Sequence, residues 1–164
     1  MILVLLGTQN NSFHRLLEEI DRLIEKKIIS EKVVAQAGYT KYTPQYASKE
    51  QLQIIDFVDR ETLAKYQDEA SFIITHGGVG SIISSIEKSK KVIAVPRKHQ
   101  YEEHVNDHQK DIVELFNQKG YIIGIGDVSE LEDAIERVKD FVPKKYEHVN
   151  QKMLKIITDF IENS

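Results

Sequence analysis

Short apolar runs alternate along this chain with longer segments of helical spacing. Residues 2–6 are continuously apolar, as in a strand buried on both faces. The polar turn Gly7-Thr8-Gln9-Asn10-Asn11 follows. Ser12 then stands where a helix cap would stand, before Leu16, Leu17, Ile20, Leu23 and Ile24 repeat at helical spacing through about Lys27. Residues 33–37 predict a second strand, closed by Gly38. Residues 39–51 carry Tyr39, Tyr42 and Tyr46 among polar residues and predict a loop. Residues 53–58 predict a third strand, and Asp59 a cap for a short helix with Leu63, Ala64 and Tyr66.

The second half continues the alternation. Residues 72–75 predict a fourth strand and 80–88 its helix. Residues 91–95 predict a fifth strand, stopped by Pro96. A polar segment leads to a helix over about 103–119, with Gly120 at its left-handed end. Residues 121–125 predict a sixth strand. Ser129 is the expected cap of a helix with Leu131, Ile135 and Val138. Pro143 is expected to open a last helix to about Glu162, with Val149, Met153, Ile156, Ile157, Phe160 and Ile161 as its apolar stripe. Alternation of this kind predicts an α/β fold, a doubly wound parallel sheet of about six strands. Ligands bind such sheets at the carboxyl ends of the strands. Those ends are Gly7-Thr8, Phe57-Val58, Thr75-His76 and Pro96-Arg97.

The corner Thr75-His76-Gly77-Gly78-Val79-Gly80-Ser81 is the most pointed of these. Backbone N–H groups at a helix start lack internal partners and sit at the positive end of the dipole. Gly77, Gly78 and Gly80 are expected to permit close ligand approach and positive φ. A plain tight turn accounts for the same glycines. The corner is neither a P-loop nor a Gly-x-Gly-x-x-Gly fingerprint. His99, His104 and His108 fall within ten residues, and a helix there would put His104 and His108 on one face. Metal, sugar recognition and a solvated helix start all remain open for that segment. Lys88, Lys90, Lys91, Arg97 and Lys98 form a basic group that an anionic ligand or lipid would favour.

Composition narrows the classes. The 164 residues suggest one domain, and the net charge of −4 argues against broad nucleic-acid binding. Cysteine is absent, which removes disulfides and thiolate zinc sites. The apolar start lacks a basic flank and a cleavage site, so no signal peptide is expected, and it is too short to span a membrane.

Taken together, Gly7-Thr8, the 75–81 corner, Val95-Pro96 and the downstream Asn106 to Gln109 resemble the carboxyl-terminal domain of family-28 glycosyltransferases over about residues 1–140. Those enzymes have two facing Rossmann-like halves, the GT-B arrangement. Pro96-Arg97 with residues 103–109 is similar to the small subunits of split bacterial capsular or exopolysaccharide transferases. The chain also looks like the catalytic subunit of the eukaryotic dolichol-linked chitobiose synthase. The resemblance implies a single nucleotide-sugar-binding domain over 1–164, with a helix over 144–162 that reaches a partner. It implies the donor-binding catalytic subunit of a two-chain enzyme. That enzyme moves a sugar from a nucleotide sugar, a UDP-sugar, to a lipid-linked acceptor in cell-surface polysaccharide synthesis. The partner is membrane-associated, binds the acceptor and holds this chain at the inner, cytoplasmic face. No cofactor or metal is implied.

The implied binding residues are Gly7, Thr8, Phe57, Val58, His76, Gly77, Gly78, Val79, Gly80, Ser81, Asn106 and Gln109. Gly78 to Ser81 would meet the diphosphate, Phe57 and Val58 the base, and Asn106 and Gln109 the sugar. His76 and His104 are the candidates for a catalytic role. Where many relatives carry an acidic ribose-binding residue, this chain has Ser84, with Glu87 nearly a turn later. A non-catalytic accessory subunit is the alternative reading.

Overall fold

A computed structural model describes residues 1–147 and Lys155. Strands β1 (Ile2–Leu5), β2 (Val33–Gln36), β3 (Leu52–Ile55), β4 (Phe72–His76), β5 (Val92–Val95) and β6 (Ile123–Gly124) form one sheet. Its order is β3-β2-β1-β4-β5-β6, and every pairing is parallel. Helices α1 (His14–Glu25), α2 (Arg60–Glu69), α3 (Val79–Glu87), α4 (His108–Gln118) and α5 (Leu131–Val138) connect and cover it.

The alternation of side chains along a strand explains why both faces need covering. Ile2, Val4 and Leu6 point to one side, into a cluster with the apolar faces of α1 and α5. Leu3 and Leu5 point to the other, among residues of α2, α3 and α4. This is a doubly wound, Rossmann-like sheet. The chain goes outward from β1 to β3, then returns to place β4 on the other side of β1. The sheet order therefore reverses between β1 and β4, where such folds open a crevice.

Several local expectations are corrected. Phe13, not Ser12, is the residue before α1, and its N–H donates to Thr40 Oγ1 at 3.1 Å. Ser129 caps nothing: Asp127 accepts from Ser129 N–H while Glu130 accepts from Asp127 N–H, a reciprocal capping box. The third strand ends at Ile55, which leaves Phe57 and Val58 on the loop beyond it. Residues 103–107 are not helical, because a single turn at His99–Tyr101 precedes α4, which begins at His108. His104 and His108 therefore share no helix face. Asp59 does cap α2, accepting from Thr62 N–H at 2.7 Å. Gly120 is left-handed, with φ +80. Residues 141–147 are irregular, with Lys144 N–H on Gly120 O at 2.9 Å and the Tyr146 ring edge-on to Tyr121. The rest of the expected last helix, with its apolar stripe, lies outside the described residues.

The expected loop over 39–51 is built on Asp21, a fully buried carboxylate of α1. It accepts from Tyr42 O–H at 2.6 Å and from the N–H groups of Gln45 at 2.6 Å and Ala47 at 2.8 Å. Burial pushes its pKa up, but the bonds from Tyr42, Ala47, Gln45 and Tyr46 outweigh this and hold it below the usual carboxylate range. A depressed carboxylate gives stability that is present above its unfolded pKa of about 3.9 and is lost as pH falls through the lower folded value. Asp21→Asn turns an amide toward these donors and is expected to cost about 2 kcal/mol at pH 7. It should also flatten the acid limb of stability. Urea melts of both proteins between pH 3 and 7 check this, and equal acid limbs would contradict it.

Candidate functional site

A cavity of about 410 Å³ opens at the carboxyl ends of the central strands, at the reversal between β1 and β4. Of the residues expected to bind the donor, Gly7, Thr8, Phe57, Val58, His76, Gly78, Gly80, Ser81 and Gln109 line it. Gly77, Val79, Asn106 and His104 do not. Gln36 and Ser84 line it as well. Ser84 was legible as the place of an absent acid. Gln36 was overlooked, although a polar residue closing an apolar strand was the available signal.

The first turn of α3 forms one wall. Gly78 precedes it with extended backbone and no side-chain cap. The first intrahelical bond runs from Ile82 N–H to Gly78 O at 3.1 Å. The N–H groups of Val79, Gly80 and Ser81 are thus free of helix partners. Gly80 and Ser81 line the cavity, and all three groups are at the positive end of the helix dipole, an arrangement that favours an anion.

The glycines work differently than expected. Gly77, Gly78 and Gly80 do not have positive φ; Gly7 does, at +76. A Cβ at Gly78 would meet His76 Cε1 at 2.3 Å, and one at Gly7 would meet His76 Nε2 at 2.5 Å. These two glycines make room for the imidazole between them. At Gly77 a Cβ would meet the Gln109 Cβ at 2.8 Å. At Gly80 it would meet nothing within 4 Å. Only there does the missing side chain leave open space over the helix start.

Gln109 decides the state of His76. Its Oε1 accepts from Gly77 N–H and Arg97 N–H, both at 3.0 Å. Two backbone donors set the amide orientation, so Nε2 must be the atom 3.2 Å from His76 Nδ1. An amide nitrogen donates, so Nδ1 accepts. The imidazole proton is then on Nε2, which donates to Ser81 Oγ at 3.3 Å. The Ser81 O–H is left to donate into the cavity. Burial, with help from Arg97 and His104, pushes the His76 pKa down to about 3. The ring is therefore a neutral donor at physiological pH, not a general base. Because the folded site disfavours the imidazolium, stability is undiminished above the unfolded pKa of about 6.5 and falls as pH drops toward 3.

This chain of bonds makes Gln109 a positioning residue. Gln109→Glu keeps an acceptor for Gly77 and Arg97 but removes the donor facing Nδ1. The His76 proton then moves to Nδ1 and a lone pair turns toward Ser81. Nitrogen-15 spectra should report the Nε2–H tautomer in the native chain and the Nδ1–H form or the imidazolium in the variant. Unchanged ring spectra would refute the relay.

The remaining candidates are tied into the fold. Asn106 Oδ1 accepts from His108 N–H at 3.0 Å, at the start of α4. His104 Nδ1 accepts from Asn106 N–H at 3.3 Å, and its Nε2 is 2.8 Å from the Gln9 amide. Burial and the nearby Arg97 lower its pKa as well. The basic group is not an exposed anion patch. Lys88 pairs with Asp68 at 2.8 Å, and Lys98 with Asp127 at 3.0 Å. Lys90 donates to the carbonyls of Asp68 and Ala70, and Lys91 to those of Val138 and Lys139. Arg97 is fully buried. It donates to the carbonyls of Leu6, Asn11 and Glu103, and so ties the end of β1 to both site loops. The Glu103 carboxylate accepts from Arg15 Nε at 2.7 Å and from Lys98 N–H at 3.0 Å. This network holds residues 97–107 as a loop.

The doubly wound parallel sheet, with a cavity at its reversal, is the fold of a Rossmann-like half of the GT-B class. The chain belongs to the glycosyltransferase family 28 C-terminal domain family, whose model matches residues 1–163. It is 37% identical over 95 residues to the UDP-N-acetylglucosamine transferase subunit ALG13 of Candida glabrata. That match covers 56% of this chain and 40% of the relative, so the likeness spans well under half of that protein. A solution structure of ALG13 has a TM-score of 0.63 at 16% identity, covering 95% of this chain and 93% of that one. Acinetobacter baumannii MurG has a TM-score of 0.56 at 16% identity, covering 84% and 40%. At these identities the structural likeness concerns the fold.

Proposed function

We propose that the chain is the donor-binding catalytic subunit of a two-chain glycosyltransferase. It takes a sugar from a UDP-sugar and passes it to a lipid-linked acceptor in cell-surface polysaccharide synthesis. The observation that carries this reading is the uncapped start of α3 facing the cavity, with Gly80 open above it. Breaking the bond to the donor sugar builds negative charge on a diphosphate leaving group. Donors already aimed where that charge develops give the greatest help. The N–H groups of Val79, Gly80 and Ser81 and the Ser81 O–H are such donors. The proton on His76 Nε2 keeps the serine oxygen supplied from behind, so its own proton is free for phosphate. Phe57 and Val58 form the wall for the base.

A base for the acceptor hydroxyl is not evident at this cavity, since His76 carries its proton on the facing nitrogen. The reading assigns that base and the acceptor site to a membrane-associated partner, with this chain at the cytoplasmic face. The name of the relative, a transferase subunit, supports that assembly. No helix among the described residues is long and apolar enough to cross a membrane.

Titration of the full chain with UDP tests the donor half of the reading. Binding should weaken about tenfold in Ser81→Ala, the loss of one charge-assisted hydrogen bond. Membranes from cells making the chain with its genomic neighbour should move radiolabelled sugar from UDP-sugar into organic-extractable lipid. Transfer without UDP binding by this chain would favour the accessory-subunit reading instead.

A further inference from the structure

The Gln36 side chain is 7% exposed and lines the cavity floor. Its Nε2 donates to Gly7 O at 3.2 Å and to Asp56 O at 2.9 Å. Both partners are carbonyls, so the amide cannot be turned the other way. Its two donors are spent, which leaves Oε1 as the one remaining polar atom. Oε1 has no hydrogen-bond partner among the described residues. An amide oxygen held in one orientation beside a cavity is a built acceptor for a ligand that enters it.

We propose that Gln36 Oε1 accepts a hydrogen bond from a ribose hydroxyl of the bound nucleotide. The inference rests on the nucleotide-sugar reading and deepens it. Sheet order supports the choice of group. The anion corner lies over β1 and β4, and the Phe57–Val58 wall follows β3. Gln36 ends β2, between them. Neighbouring strands are about 4.8 Å apart, so β2 lies one spacing from the strand that leads to the base wall and two from β4, whose helix start carries the anion donors. In a nucleoside diphosphate the ribose occupies that middle place. Several of the other polar side chains nearby are committed elsewhere. His76 and Ser81 serve the anion corner, and Ser84 donates to Ser81 O while accepting from Gln67. Gln36 is a specificity-determining contact: it asks the ligand for a donor, which a ribose supplies and a bare diphosphate does not.

The test compares UDP with 2′,3′-dideoxy-UDP on the full chain by calorimetry. Native protein should bind UDP about tenfold more tightly, and in Gln36→Met the two should agree within about twofold. Because that variant also frees Gly7 O and Asp56 O, its folding is checked first. If it does not fold, the carbon-13 resonance of the native Gln36 amide carbonyl decides. It should move with UDP and stay in place with the dideoxy compound. Native protein that binds both compounds equally overturns the inference and leaves the nucleotide reading standing. So does a folded Gln36→Met that keeps the tenfold gap, or a Gln36 resonance that is indifferent to the hydroxyls. Absence of any UDP binding overturns both.

Discussion

A Gly80→Asp chain is expected to fold at least as stably as the native one and to lose UDP affinity by about a hundredfold or more. The two halves of this expectation have separate causes. A Cβ at Gly80 meets no atom within 4 Å, so the side chain enters free space. Position 80 lies in the first turn of α3, where a carboxylate complements the dipole by about 0.3–1 kcal/mol. Replacing glycine within a helix adds about 0.5–1 kcal/mol. The same carboxylate stands where the phosphates would meet the free N–H groups, and repels them. A hundredfold loss corresponds to about 2.7 kcal/mol of binding. Gly80→Ala is the control: it shares the helix gain but carries no charge, so its loss of affinity should be much smaller. Thermal melts and UDP titrations of the three proteins decide. Native-like UDP affinity in Gly80→Asp would show that the anion is bound elsewhere. Gly78→Asp is a poorer test, because a Cβ there strikes the His76 ring at 2.3 Å.

Arg97→Met is expected to destabilise the fold by roughly 3 kcal/mol, the size seen when a buried charged hydrogen-bonding group is removed from its partners. The guanidinium is 1% exposed and lies 5.2 Å over the Phe13 ring. Burial, opposed by the nearby Glu103, pushes its pKa down to about 10, so it remains charged at pH 7. It donates to Asn11 O at 2.7 Å, to Glu103 O at 3.0 Å and to Leu6 O. Methionine fills most of the volume but leaves these carbonyls without their donor. Arg97→Lys should recover only part of the loss, since a compact ammonium does not reproduce the planar fork. Urea melts measure both variants. A cost under about 1 kcal/mol for Arg97→Met would mean that the carbonyls find other partners.

These two residues also mark where reading the chain succeeded and where it did not. Gly80 belongs to a contiguous motif, and its place at the start of a helix after a buried strand was legible from local pattern. Arg97 read as one member of a basic surface group. Its acceptors Leu6 and Asn11 are far away in sequence, and nothing local signals them. Lys90 and Lys91 were misread for the same reason, since their carbonyl partners lie on other turns of chain. The 103–107 segment has spacing compatible with a helix. It forms a loop because Arg15 and the Lys98 N–H hold the Glu103 carboxylate in place. Gln109 was legible as a polar residue near the site. Its work on the His76 tautomer depends on the N–H groups of Gly77 and Arg97 reaching it together.

By itself the sequence determined the elements and their alternation. Strand and helix periods are local, and burial on both faces of the sheet follows from continuous apolar runs between amphipathic helices. It determined the doubly wound class for the same reason, and with it the carboxyl edge as the place of the site. Only the tertiary structure decided which polar groups face the cavity and in what state. Hydrogen-bond direction depends on partners brought together from distant positions, and one-dimensional spacing does not carry that information. Thus Gln36 presents a fixed acceptor, His76 a fixed proton and Gly80 an open space, while Gly7 and Gly78 make room for a ring and Arg97 becomes part of the core.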